Sequence, residues 1–110
     1  MKAIVLLLVL SLLVGCSSPA FSEDPKVAAS QIEKSLPLGT SKANAERILT
    51  DSHLVYELKH GAFASEYLSD YIFIDYFEND DSSAKRWQIA LILESEKISG
   101  YRVHYELISP

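Results

Sequence analysis

The chain has 110 residues, one cysteine and a formal net charge of −5, from 10 lysines and arginines against 15 aspartates and glutamates. This length fits a single domain, and one cysteine excludes both an intramolecular disulfide framework and a metal site built from several cysteines. The acidic balance argues against a protein that neutralises nucleic-acid phosphates, so we expect no nucleic-acid partner.

The first fifteen residues have the composition of a secretory signal peptide. Met1 and Lys2 form a short basic start, and twelve of these fifteen residues are hydrophobic. The apolar run is shorter than the roughly 20 residues needed to cross a bilayer, but it has the length of a signal-peptide core. We therefore interpret residues 1–15 as a leader.

The end of this leader resembles the bacterial lipobox. Leu13, Val14, Gly15 and Cys16 follow one another, and in the lipobox an aliphatic residue and two small or aliphatic residues precede a cysteine that is lipidated. The resemblance implies that Cys16 carries acyl chains that anchor the protein in a lipid bilayer. An ordinary secretory leader with a cysteine, or an uncleaved amphipathic anchor, is the alternative interpretation.

The residue after the cysteine bears on the choice of membrane. An aspartate there resembles a signal for retention in the inner membrane, whereas this chain has Ser17. The resemblance therefore implies an outer-membrane lipoprotein that faces the periplasm. Residues 16–22 are mostly small and polar and include a proline, which is typical of a tether between lipid and domain. Residues 23–110 are predicted to form one α+β domain.

Two helices are predicted at the start of this domain. Asp24 suits a helix N-cap and Pro25 the first helical position, and Pro37 with Gly39 ends the helix. Thr40 or Ser41 can cap a second helix that runs to about residue 51. The two helices carry apolar stripes at Ala28, Ile32 and Leu36, and at Ala45, Ile48 and Leu49.

The rest of the chain has the alternating pattern of β-strands. Polar clusters separate the last three strands, so these form an antiparallel meander, and residues 61–70 are assigned to a loop. We expect an α+β fold with two N-terminal helices packed on one face of a three- or four-stranded antiparallel sheet, whose other face is more open. The predicted strands are Leu54–Leu58, Tyr71–Phe77, Arg86–Leu93 and Ile98–Ile108.

The segment from Leu36 to Ser41, continuing to Ile48 and Leu49, resembles a pattern in small periplasmic lipoproteins. Related arrangements occur in the SmpA/OmlA-type outer-membrane lipoproteins and in β-lactamase-inhibitor-like proteins, which pack two helices on an antiparallel sheet. The resemblance implies a fold rather than an activity, because such sheets serve assembly factors and inhibitors alike.

A candidate binding surface follows from the sheet. All six tyrosines lie in the strand-rich half, and tyrosine and arginine are enriched in protein interfaces. Trp87 alternates with Ile89 and Leu91, so we place it inward. Tyrosine also suits half-buried strands without any binding role, which is the alternative. The predicted outward, partner-binding residues are Tyr76, Arg86, Gln88, Arg102 and His104.

No catalytic motif or metal-ligand spacing is recognised in the sequence. His53 and His60 are seven residues apart with no neighbouring ligand that completes a zinc site, and the acidic run from Glu78 to Asp81 lacks the glycine of a calcium loop. Asp75 is expected to pair with Arg86 or Lys85. We therefore expect no catalytic residue, metal, cofactor or small-molecule substrate.

Together these patterns predict a non-enzymatic outer-membrane lipoprotein that binds another envelope protein through its sheet, in assembly or scaffolding. The alternative is a proteinaceous inhibitor of a periplasmic or foreign hydrolase. Such an inhibitor would use an acidic turn, either Glu94–Lys97 or Glu78–Ser83, to enter a basic active-site cleft.

Overall fold

A computed structural model describes residues 21–79 and 83–108 of the chain. The four strands form one antiparallel sheet in the order of the sequence, which confirms the expected α+β class. The predicted leader and Cys16 lie outside the described residues. The elements are α1 (Pro25–Ser35), α2 (Lys42–Asp51), β1 (Tyr56–Phe63), β2 (Glu66–Asn79), β3 (Ala84–Glu94) and β4 (Lys97–Ile108).

Both helices begin at the caps predicted from the sequence and end close to the predicted positions, at Ser35 and Asp51. The Asp24 side chain caps α1 and accepts a hydrogen bond of 2.9 Å from the backbone nitrogen of Lys26. The Ser41 hydroxyl caps α2 by accepting one of 3.2 Å from the backbone nitrogen of Asn44. These bonds satisfy backbone donors that have no partner within a helix.

The connector between the helices is bonded to the beginning of β4. The backbone nitrogen of Gly39 donates to the carbonyl of Ile98, and the nitrogen of Ile98 donates to the carbonyl of Thr40, both at 2.8 Å. The nitrogen of Lys42 donates to the carbonyl of Glu96 at the same distance. The start of α2 is therefore held against the turn between β3 and β4.

One face of the sheet, called here the core face, shares a single apolar cluster with both helices. Trp87 is 1% exposed, which confirms its predicted inward position. The Tyr101 hydroxyl on β4 donates a hydrogen bond to the carbonyl of Leu36 at the end of α1. The buried members of this cluster include Ile72, Ile74, Trp87, Ile89, Leu91 and Ile98 from the strands and Ala28, Ile32, Leu36, Ala45, Ile48 and Leu49 from the helices.

The predicted loop at residues 61–70 is wrong, because these residues form the tip of a β1–β2 hairpin. Ala64 lies in the turn with a φ of 54°. The strand register then shifts between His60 and Gly61, where Gly61 has a φ of 104° that favours glycine. Such a bulge bends a hairpin and increases its twist.

The bent hairpin tip covers part of the opposite face of the sheet, called here the outer face. Phe63 and Leu68 from the tip are buried with Tyr71 and Ala90 in a second apolar cluster. Glu66 at the start of β2 reaches across β3 to Arg102 on β4, with 2.8 Å between its Oε1 and the arginine Nε. The outer face is therefore less open than the sequence predicted.

Candidate binding surface

The uncovered part of the outer face presents five polar side chains and one phenylalanine from three neighbouring strands. The strand register places them in two rows across the sheet, one nearer the centre and one nearer the β2–β3 hairpin. The rows are Asp75, Gln88 and His104, and Phe77, Arg86 and Glu106.

Arg86 is held in place by two carboxylates. Its Nε and Nη2 donate to the two Asp75 oxygens at 2.9 and 2.8 Å, and its Nη1 donates to Glu106 at 3.4 Å. The bond to Asp75 raises the pKa of the guanidinium above its ordinary value. The guanidinium carbon also lies 5.1 Å from the centre of the Phe77 ring. Two-point pairing of this kind orients an arginine as well as stabilising it.

Gln88 and His104 lie side by side on the outer face as the sequence predicted. The register pairs Gln88 on β3 with His104 on β4. Gln88 is half-buried and His104 is exposed. With Arg86 in the next row, these side chains form a polar surface that a partner could contact by hydrogen bonding.

Arg102 also lies on the outer face, but it belongs to the hairpin contact. Its Nε and Nη2 donate to the two oxygens of Glu66 at 2.8 and 3.1 Å. This hydrogen bonding raises the pKa of Arg102 and lowers that of Glu66. Arg102 therefore joins β4 to the hairpin tip.

Tyr76 does not share the face of the other four predicted residues. It stands opposite Trp87 in the strand register, with 5.7 Å between the ring centres, and it packs against the core cluster. Its hydroxyl donates to Glu78 at 3.3 Å. Burial raises the pKa of this hydroxyl, and the charge of Glu78 adds to the effect. The outward placement of Tyr76 is thus corrected, because its strand parity is that of the core face.

The tyrosines as a group do not form an open aromatic face. Tyr67 is exposed, and Tyr71 is buried in the small outer cluster. The outer face carries phenylalanines instead, and Lys59 lies 4.4 Å from the centre of the Phe73 ring. The tyrosines packed against the core cluster are Tyr56, Tyr76, Tyr101 and Tyr105.

The acidic turn between β3 and β4 has a well-defined backbone. Ser95 and Glu96 both have positive φ angles, of 53° and 61°, as in the two-residue hairpin turns that match strand twist. The bond from Lys42 to the Glu96 carbonyl fastens this turn to α2. The other acidic turn, at residues 78–83, is described only in part.

A half-open cleft of about 270 Å³ lies between β1, β2, the start of α2 and the β3–β4 turn. Within residues 21–79 and 83–108, no group of three or more His, Cys, Asp or Glu side chains is placed to hold a metal ion. The lining of the cleft mixes charged and apolar residues, among them Lys42, Leu58, His60, Asp70, Leu93 and Glu96.

Comparisons with models of known protein families, with characterised proteins and with solved structures gave no match. Neither helix in the described part of the chain has the length and apolar character needed to cross a membrane.

Proposed function

We propose that this chain is a lipid-anchored protein of the bacterial cell envelope that binds another protein through the outer face of its sheet and performs no catalysis. The anchor is Cys16, and the residue after it favours the outer membrane, with the domain in the periplasm. The proposal requires an acyl group at Cys16, which metabolic labelling with a palmitate analogue detects and Cys16→Ala abolishes.

The proposed binding role rests on one observation, that the side chain of Arg86 is fixed by ion pairs on the outer face. Asp75 and Glu106 hold its guanidinium in one position beside Gln88 and His104. Arginine is among the residues that contribute most at interface centres, and a side chain that is already ordered loses less conformational entropy on binding. Arg86 is therefore proposed to make the strongest contact with the partner protein, with Gln88 and His104 contributing beside it.

The proposal also takes both helices to pack on the core face, so that the centre of the outer face is left for a partner. The cluster shared by helix and strand residues supports this arrangement, as does the hydrogen bond from Tyr101 to Leu36. The hairpin tip occupies one end of the outer face near Arg102. A partner would therefore contact the centre of the outer face around Gln88 and His104, and would meet Arg86 at the edge of that contact.

Affinity capture from detergent-solubilised membranes tests this surface. We expect the double variant Arg86→Gln with His104→Asn to lose most of the recovered partner, because truncation of an interface anchor costs about 2 kcal/mol or more. The matched control is Arg47→Gln with His53→Asn, which makes the same substitutions at exposed positions of α2 and the segment after it. Equal recovery by the two double variants would reject the outer face as the interface.

The inhibitor function is retained as a second candidate because of the β3–β4 turn. Its acidic residues are exposed, and backbone bonds to the helix connector hold its shape. Preorganised loops bind with a smaller entropy loss. Capture of a hydrolase that is lost on Glu94→Gln with Glu96→Gln, and is unaffected by the Arg86 and His104 changes, would favour inhibition over scaffolding.

A further inference from the structure

The first described residues are packed on the sheet rather than free of it. The Phe21 ring lies 5.3 Å from that of Tyr76 and 6.1 Å from that of Trp87, centre to centre. The Trp87 indole nitrogen donates to the carbonyl of Ser22 at 2.8 Å. Glu23 pairs with Lys85 at 2.9 Å. Phe21 and Ser22, which the sequence assigned to the tether, thus contact the domain.

These contacts place residues 21–23 at one edge of the sheet, where β2 ends, β3 begins and β4 ends. This edge is called here the hairpin end of the sheet. Lys85, the partner of Glu23, stands directly opposite Leu107 in the strand register. Three of the exposed large apolar side chains lie at this same end, one with the strand parity of the core face and two with that of the outer face, so they flank the end on both sides. They are Phe77, Leu107 and Ile108.

The distance from Cys16 to this end is short. Five residue steps separate Cys16 from Phe21, and a fully extended chain covers at most about 3.6 Å per residue, or about 18 Å in all. An acylated Cys16 would sit at the surface of the bilayer. The apolar end of the sheet is therefore the part of the domain that the tether keeps nearest to the membrane.

The described cations at this end are compensated within the protein. Lys85 pairs with Glu23, and Arg86 pairs with Asp75 and Glu106. The end is thus suited to a zwitterionic headgroup layer, which attracts apolar side chains without needing a basic patch.

We infer that this end of the sheet is a membrane-contact surface, on which Phe77, Leu107 and Ile108 enter the headgroup layer next to the anchor. The inference rests on the proposed lipidation of Cys16. It orients the molecule, because the β3–β4 turn at the other end of β4 then points away from the bilayer. The centre of the outer face stays accessible to a partner.

Collisional quenching in vesicles tests this orientation. The full lipoprotein is reconstituted in phosphatidylcholine and phosphatidylethanolamine vesicles that contain a nitroxide-labelled lipid. Acylation occupies the thiol of Cys16, so Leu107→Cys introduces the one free thiol, which is labelled with a nitrobenzoxadiazole fluorophore. Phe77→Cys provides a second reporter from another strand. Mass spectrometry of the N-terminal peptide reports acylation separately.

Leu38→Cys is the matched control, since Leu38 and Leu107 are both 56% exposed. Leu38 adjoins Gly39, which bonds to Ile98, and the nine residue steps of β4 from Ile98 to Leu107 span about 30 Å at roughly 3.3 Å each. We expect several-fold stronger quenching of the probes at 107 and 77 than of the probe at 38.

Three results would overturn the inference, and each is distinguishable. Equal quenching at all three positions in an acylated protein rejects the membrane-contact surface and leaves the lipid anchor in place. A probe at 107 that is protected from aqueous iodide yet unquenched by the nitroxide lipid shows that protein, either a partner or a second copy, covers this end. A protein without acyl groups at Cys16 removes the anchor itself, and the inference with it.

Discussion

The two faces of the sheet have similar sequence patterns, but different parts of the chain cover them. The core face carries one continuous apolar cluster that contains buried residues of both helices. The outer face carries a small cluster under the hairpin tip, and beyond it ion pairs around Arg86. Alternation alone does not distinguish them, because β2 has aromatic or β-branched residues on both sides. The segments that return to each face decide which one becomes the main core.

The largest expected effect is on the core face. Trp87→Ala should lower the free energy of unfolding by about 3–5 kcal/mol, as aromatic truncations in cores do, because Trp87 contacts several core rings. Urea denaturation followed by far-ultraviolet circular dichroism measures this without the lost tryptophan signal. Its neighbour Gln88 points to the other face, and Gln88→Ala should change the value by less than about 1 kcal/mol.

A smaller effect is expected under the hairpin tip. Phe63→Ala removes one of the two buried rings of the second cluster, which lies 5.9 Å from the ring of Tyr71. The loss in global stability should stay below about 3 kcal/mol, the lower bound for a fully integrated aromatic core residue, because the tip can open locally. Hydrogen exchange should show faster exchange at residues 61–70 and unchanged protection in β3. An equal loss of protection from hydrogen exchange at residues 61–70 and in β3 would mean that the core cluster and the cluster under the hairpin tip unfold together.

A pH effect is expected from Tyr101. Burial raises the pKa of its hydroxyl to about 12, with help from the charge of Glu33, whereas an unfolded tyrosine titrates near 10. The folded state thus holds this proton more tightly, so the contribution to stability is complete below about pH 10 and is lost as the pH rises toward 12. Tyr101→Phe should cost about 1 kcal/mol at neutral pH through the lost bond to Leu36.

Urea midpoints measured between pH 8 and pH 12 check this prediction. The fall in stability above pH 10 should be shallower in Tyr101→Phe than in the unchanged protein. Tyr67→Phe is the control, because Tyr67 is 78% exposed. This substitution should leave the dependence of the urea midpoint on pH unchanged. Parallel curves for the unchanged protein and Tyr101→Phe would contradict the role of Tyr101.

The smallest effect is expected at Tyr105, on the same face and strand as Tyr101. Its hydroxyl is buried, and no side chain in the described part of the chain lies within hydrogen-bond distance of it at an acceptable angle. Burial raises the pKa of this hydroxyl, and the nearby charge of Glu23 adds to the effect. Tyr105→Phe should therefore be neutral or slightly stabilising, since a buried polar group without a partner costs about 1–3 kcal/mol. A loss of stability as large as that of Tyr101→Phe would show that this hydroxyl does have a partner.

Local chemistry explains which elements could be predicted from the sequence. Asp24 and Ser41 cap their helices with short-range bonds, so the residue types alone indicate where the helices begin. The β1–β2 hairpin was missed because its turn uses Ala64 at positive φ, where glycine or asparagine would have been a recognisable signal. Its strands also include small residues without clear alternation.

The face of Tyr76 could not be inferred for a different reason. Its parity with Ile72 and Ile74 is evident in the sequence, but Phe73 on the other side of the strand is equally apolar. Only the register with Trp87 shows which side is inward. The shared face of Arg86, Gln88, Arg102 and His104 could be predicted, because on β3 and β4 these residues alternate with large apolar neighbours.

The meander order of the sheet has a consequence for how the chain folds. Every strand pairs with its sequence neighbours, so each ladder closes a short segment, and topologies rich in local contacts fold fast. The contacts that span 65 residues, Trp87 with Ser22 and Tyr101 with Leu36, join the N-terminal segment to a sheet whose own ladders do not include that segment. We therefore expect the strands to pair first and the N-terminal segment to dock on the sheet afterwards, because its contacts close the longest loops of the chain.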